Sequence, residues 1–185
     1  MKKTIITIIA TSLLLLQPLQ VQAQEIDGVF MPSVGIVEVV DEVTEDQARW
    51  AYSYEVGRQL ELEEDVRLMS SLIWCEAGNQ CEAGKQAVGI VVMNRIDDAS
   101  FASTVEDVIY EKGQFRPKTD GRLSKALQMY DNGELPQECI DAANYVLSGE
   151  TIVIYNGQEI DMSPYLYFAR NLNNEKLRIQ DHDFK

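Results

Sequence analysis

Val66, Met69, Leu72, Ile73 and Glu76 recur at three- and four-residue spacing, the period of one face of a helix, so an acid group shares a stripe with apolar side chains. A carboxylate on an inward face loses water, and in the last turn of its helix it also meets the negative end of the helix dipole. Both effects raise its pKa. A glutamic acid that stays protonated near neutral pH can hand its proton to a glycosidic oxygen. On spacing alone a plainer reading stays open, in which Glu76 snorkels to the surface or pairs with Arg95.

The other reactive types are three cysteines, Cys75, Cys81 and Cys139, and a single histidine, His182. A peptidase or amidase would use Cys75 or Cys81 as nucleophile and His182 as base. Thiolates are favoured at helix starts, whereas Cys75 falls near a helix end, which counts against that reading. One histidine without close Cys/His spacing does not make the usual hydrolytic zinc site, so neither metal nor cofactor is expected.

The elements that must position these residues follow from pattern. Leu62 to Ala77 reads as a helix stopped by Gly78 and Asn79, with Glu63, Glu64 and Asp65 at its electropositive start. Ala83 to Ile96 is apolar almost all round, the mark of a central buried helix. Ser103 and Glu106 form a capping box before a short helix ending near Tyr110. Glu111 to Gly121 reads as an ordered loop. Helices follow over Leu123 to Asp131 and Pro136 to Ser148, the second with proline at its first position. Beyond Gly149, Thr151 to Tyr155, the Asn156-Gly157 turn and Tyr165 to Phe168 read as short strands. The expected fold class is α+β, mainly helical with a small antiparallel sheet.

Upstream, residues 1–23 have the three parts of a secretory signal peptide: Lys2 and Lys3, an apolar run from Ile5 to Leu16, and Val21-Gln22-Ala23. The run is shorter than the ~20 residues a membrane span needs, so cleavage is expected to leave no stable membrane insertion. Residues 24–61 read as an acidic linker or pro-segment, with a possible helix from Glu45 to Leu60. The folded domain is expected over 62–185. The formal net charge is −14, and loss of Lys2 and Lys3 makes the balance more negative still. Such a chain repels nucleic acid, which excludes that partner. Export allows disulfides, and Cys81 to Cys139 is the favoured pairing, with three buried thiols as the alternative.

The stretch from Leu72 to Arg95, LIWCEAGNQCEAGKQAVGIVVMNR, resembles the signature of the SleB/CwlJ cell wall hydrolases. Ser100-Phe101 opens the following loop as in that family. Val108 to Phe115, VIYEKGQF, is similar to the family's second motif, Leu166-Tyr167-Phe168 to its third, and Ile179 to Phe184, IQDHDF, to its closing segment. The resemblance covers about Leu62 to Lys185.

What the resemblance implies is a lysozyme-like or lytic-transglycosylase-like domain with one catalytic glutamate, carried onto Glu76. It also implies a glycan cleft holding Gln114, Phe115, Tyr167 and Phe168, with His182 close by. The implied partner is the peptidoglycan glycan strand of the cell wall or spore cortex, met by a secreted monomer. A non-catalytic wall-binding module is the remaining alternative to an enzyme. This chain departs from the family pattern at Gln80, where many relatives have a second glutamate, and at Gln180, where glycine is usual. Asp161, Asp181 and Glu82 fall near family motifs but read as solvated surface charges.

Overall fold

The computed structural model describes residues 29–30, 37–38, 44–115 and 120–185, so the expected signal peptide lies outside the described residues, as does most of the segment before Thr44. The chain divides into two units, the first ending at Tyr54 and the second running Glu55–Lys185. Strands β1 (Val29–Phe30) and β2 (Val37–Glu38) pair antiparallel in the first.

Helix α1 is continuous over Glu45–Ala77, where sequence pattern suggested two segments meeting near Leu62. Thr44 and Gln47 form a reciprocal capping box: Thr44 Oγ1 accepts from Gln47 N at 3.3 Å, and Gln47 Oε1 accepts from Thr44 N at 2.9 Å. Between Leu60 and Leu62 stands only Glu61, a good helix former, so nothing interrupts the helix there. Trp50 and Tyr54, one turn apart, stack with ring centroids 5.6 Å apart while both remain exposed. From Leu68 onward α1 turns into the core through Met69, Leu72, Ile73 and Ala77.

Helix α2 (Glu82–Asp97) is the buried centre expected from its composition, with Ala87 to Val92 covered on every side. Gly89 permits this. A Cβ built there would stand 2.9 Å from Val146 Cγ2 and 3.2 Å from Ile73 Cδ1, so only glycine lets α2 approach its neighbours so closely. Helix α3 (Val105–Tyr110) is capped by Thr104, whose hydroxyl accepts from Asp107 N at 3.1 Å, one residue beyond the expected Ser103 cap. Helices α4 (Arg122–Asp131) and α5 (Gln137–Leu147) complete the helical part, and Pro136 is the N-cap of α5 rather than its first residue. Arg67 of α1 clamps Asp131 at the end of α4 with two bonds of 2.6 and 2.9 Å.

Strands β3 (Ile152–Tyr155) and β4 (Gln158–Asp161) form a hairpin across the Asn156-Gly157 turn, both turn residues having positive φ; of the expected strand over Tyr165 to Phe168, Phe168 alone lies in a strand. Strands β5 (Phe168–Ala169), β6 (Leu177–Ile179) and β7 (His182–Phe184) make a second antiparallel sheet with β7 in the middle. The expected fold class therefore holds, with the sheet split in two. Among the described residues no helix is long and apolar enough to cross a membrane.

The expected Cys81–Cys139 bridge is not formed: all three cysteines are free. Cys81 is the N-cap of α2, and its Sγ lies back against that helix's own first turn, 3.8 Å from where a Cβ on Gly84 would stand. Cys139 faces the core at 0% exposure. The thiol within electrostatic range of it is Cys75.

Candidate functional site

Glu76 is half-buried in the last turn of α1, a turn that carries no basic residue of its own. Among the described residues Arg122 lies within electrostatic range of it, whereas the charges acting on Arg95 are Tyr167 and Glu111. Arg122 opens α4, where a positive charge meets the wrong end of the helix dipole. Two contacts hold it there: its Nε donates to Asp120 Oδ2 at 2.9 Å and its Nη1 to the Cys75 carbonyl at 3.1 Å. Asp120 Oδ1 in turn accepts from Arg122 N at 3.1 Å. The start of α4 is thereby fastened to the carbonyl just before Glu76. Sequence reading passed over Arg122 and Asp120, whose only signal was a cation misplaced at a helix start.

The turn after Glu76 is tied to the second sheet. Gln80 Nε2 donates to Asp181 Oδ2 and Asp181 N donates to Gln80 Oε1, both at 3.2 Å, and Cys81 N donates to Gln180 Oε1. Gln80 thus serves as a two-way hydrogen-bonding amide. Its partner Asp181 is the neighbour of His182, so this tether brings the closing segment of the chain to the residues that follow Glu76.

Aromatic residues gather around the end of α2. The Arg95 guanidinium carbon lies 5.3 Å from the Phe101 ring centroid, 5.2 Å from Phe115 and 5.5 Å from Tyr167. Arg95 Nε donates to Leu166 O at 2.8 Å, and Asn94 Nδ2 donates to the carbonyls of Met162 and Tyr165, each at 2.8 Å. Two consecutive side chains thereby pin the segment that leads into Tyr167. Burial holds the Arg95 guanidinium below its ordinary pKa, an effect opposed by Tyr167 and Glu111.

Of the residues expected in a cleft, Phe115, Phe168 and His182 stand together: Phe115 lies 6.2 Å from Phe168, and Phe168 5.4 Å from His182. Phe115 is buried at 4% exposure, whereas Tyr167 keeps 46% and meets Phe101 at 6.2 Å. Gln114 is half-buried and its backbone N donates to Glu111 O at 3.4 Å. His182 is buried, and its imidazole is held below its ordinary pKa by burial first and by Arg170 second, against Asp181 and Asp183. Asp183, passed over in the sequence, is a buried carboxylate that accepts from Leu172 N at 3.0 Å. Asp161, Asp181 and Glu82 are exposed.

Cys75 and Cys139 have the wrong tuning for attack. Burial pushes Cys75 up to about 12 and Cys139 up to about 11, whereas a nucleophilic cysteine needs a depressed pKa. Two shallow depressions, of about 180 and 280 Å³, flank Glu82 along α2 and α5 and are lined by none of the expected site residues.

Comparison with known proteins adds to this geometry. A family model described as Cell Wall Hydrolase matches residues 79–185, beginning just past Glu76. The spore cortex-lytic enzyme of Oceanobacillus iheyensis is 30% identical over 93 residues, which are 50% of this chain and 32% of that protein. The spore cortex-lytic enzyme of Bacillus subtilis is 26% identical over 103 residues, 56% of this chain and 32% of that protein. The chain thus spans about a third of the length of these relatives. The crystal structure of the catalytic domain of the Bacillus cereus SleB protein superposes with a TM-score of 0.50 at 22% identity, covering 66% of this chain and 89% of that one.

Proposed function

Because this chain belongs to the cell wall hydrolase family, we propose that it is a peptidoglycan-cleaving enzyme that cuts glycan strands with Glu76 as its acid. The observation that carries this reading is a half-buried carboxylate in the last turn of α1, followed by a turn tethered beside the aromatic group of Phe115, Phe168 and His182. The acid would protonate the glycosidic oxygen as the bond from that oxygen to the anomeric carbon breaks. Gln80 stands where relatives have a glutamate and Asp183 Oδ2 is committed to Leu172, so neither position supplies a second acid. One group then serves twice. Its carboxylate takes the proton of the muramic acid's own hydroxyl as that oxygen closes an anhydro ring, the outcome of a lytic transglycosylase. The spore cortex-lytic relatives favour cortex or wall peptidoglycan as substrate. Residues 1–23 favour export, with the protein acting outside the cell as a monomer. Residues 62–185 would carry the catalysis.

Glu76→Gln keeps size and hydrogen-bonding reach but cannot donate a carboxylic proton. It should fold and lose at least about 10²-fold activity on purified peptidoglycan. A folded variant that releases muropeptides at the normal rate removes Glu76 as the acid. Mass spectrometry of the unmodified protein's products should show anhydro ends, each one water lighter than the reducing end a hydrolase leaves.

A further inference from the structure

The end of α1 takes its positive charge from another helix. Of the carbonyls in its last turn, Trp74 O accepts from Gly78 N at 3.1 Å and Ala77 O from Gln80 N at 2.9 Å, whereas Cys75 O accepts from Arg122 Nη1 at 3.1 Å. That turn has no basic residue of its own, so Arg122 stands where a lysine or arginine of α1 would offset the negative end of the helix dipole. The same side chain works against α4. A cation at the start of α4 opposes that helix's dipole, and the backbone N of Arg122 is already satisfied by Asp120 Oδ1. The guanidinium is instead turned toward α1, held by Asp120 Oδ2 at 2.9 Å, half-open to solvent and within electrostatic range of Glu76.

We propose that Arg122 is a positioning residue for the glycan-cutting reaction: anchored by Asp120, it fixes the last turn of α1 and sets a positive charge against Glu76 in its anionic state. This inference rests on the reading of Glu76 as the acid. That reading asks one carboxyl group to give a proton to the glycosidic oxygen and then, as a carboxylate, to take one from the sugar hydroxyl. The α1 dipole disfavours the second state, and Arg122 offsets it. Other charged groups meet this end of α1. Cys75, on α1 itself, stays neutral over the working range, since burial pushes it up to about 12. Asp120 is bonded to Arg122 and opposes its charge. From α2, Lys85 Nζ donates to Gln80 O at 2.8 Å, and from the second sheet Asp181 bonds the Gln80 side chain at 3.2 Å, with Arg170 4.0 Å from Asp181. These groups grip a residue after Glu76, whereas Arg122 grips the one before it, so its charge can be removed separately.

The test is the pH profile of muropeptide release from purified peptidoglycan by the full chain. Glu76 must be protonated for the first step, so the rate falls on the alkaline side as it ionises. Arg122→Gln removes a charge that favours the carboxylate, so the alkaline limb should move up by about 0.5–1 pH unit. Its maximal rate should fall at least about 10-fold as the turn loosens. Arg122→Lys keeps the charge without the fork that spans Asp120 and Cys75 O, so it should lose rate while its limb stays within about 0.3 unit of the parent's. Asp120→Asn keeps the cation but loosens its anchor, and should be slower than the parent with a limb no higher. Urea midpoints identify the folded variants. An Arg122→Gln profile whose limb coincides with the parent's overturns the proposal and leaves Arg122 a structural brace, whatever its rate. A limb that moves as far in Arg122→Lys as in Arg122→Gln overturns charge as the cause. If Arg122→Gln does not fold, Asp120→Asn decides, and the parent's rate in that variant overturns the proposal. An active Glu76→Gln removes the acid and this proposal with it, whereas an inactive Glu76→Gln beside an unmoved Arg122→Gln limb removes Arg122 alone.

Discussion

Two helix ends in this molecule carry charge, and they are built on opposite principles. The last turn of α1 bears Glu76, an anion where the helix dipole disfavours one. The last turn of α2 bears Arg95, a cation where the dipole welcomes it. The misplaced charge is the one left half-open, next to an exposed Arg122. The well-placed charge is sealed under three rings and bonded to a backbone carbonyl. An electrostatically poor position kept near solvent is suited to proton transfer, because the group can change its charge at modest cost. A favourable position buried in the fold is suited to fastening, because the charge there need never change.

The difference can be broken by truncating the buried partner. Arg95→Ala removes a packed side chain, opens a cavity between the rings and leaves Leu166 O without its donor. The protein should lose about 2–4 kcal/mol of stability by urea denaturation, the relief of a desolvated cation offsetting part of the damage. Glu76→Gln should leave stability unchanged or slightly raised, with the activity loss described above. If Arg95→Ala is as stable as the parent, Arg95 does not fasten the segment before Tyr167, and the contrast between the two helix ends fails.

His182 lies between the two regions, packed on Phe168 on one side and next in sequence to Asp181, which holds Gln80, on the other. Its pKa sharpens the comparison through pH. Burial holds the folded-state value below the ordinary 6.5, so as pH falls through about 6.5 the unfolded chain binds a proton before the folded one does. Stability is therefore full above about 6.5 and declines as pH drops toward the folded-state value. His182→Asn, neutral throughout, should lose less stability than the parent between pH 7 and pH 5. Parallel pH profiles for the two proteins would mean that His182 is not held neutral by its burial.

Local pattern made most of the helical frame legible. The apolar face of α1 from Met69 to Ile73, the all-round burial of α2 and strand β3 with its Asn156-Gly157 turn follow from periodicity and turn chemistry alone, whereas the returning strand β4, with polar Gln158 and Glu159, does not. The continuity of α1 was missed because exposed Trp50, Tyr54 and Leu60 resemble a separate amphipathic piece, when their helix simply runs on through Glu61. Strands β6 and β7 were missed because the turn between them, Gln180-Asp181, has neither glycine nor asparagine to announce it. In the candidate site, Glu76 was legible as an acid on an apolar stripe. Arg122, Glu111 and the stacked Arg95 were not, because their roles depend on contacts between elements distant in sequence.

The smallest effect expected is at that unannounced turn. Gln180 has φ +50°, a left-handed conformation that an L side chain adopts at a cost of about 1 kcal/mol and glycine adopts freely. The same side chain accepts from Cys81 N, which satisfies a backbone donor at the start of α2 and secures the turn that follows Glu76. Gln180→Gly removes both the strain and the bond. A bond of this kind contributes about 1 kcal/mol, so the two changes should nearly cancel, leaving stability within about 1 kcal/mol of the parent. Gln180→Ala loses the bond and keeps the strained backbone, and should be about 1 kcal/mol less stable than Gln180→Gly. Urea midpoints for the pair therefore isolate the backbone from the tether. If alanine and glycine are equally stable at 180, the turn stores no strain, and the value of Gln180 lies in holding the end of α1 to the second sheet.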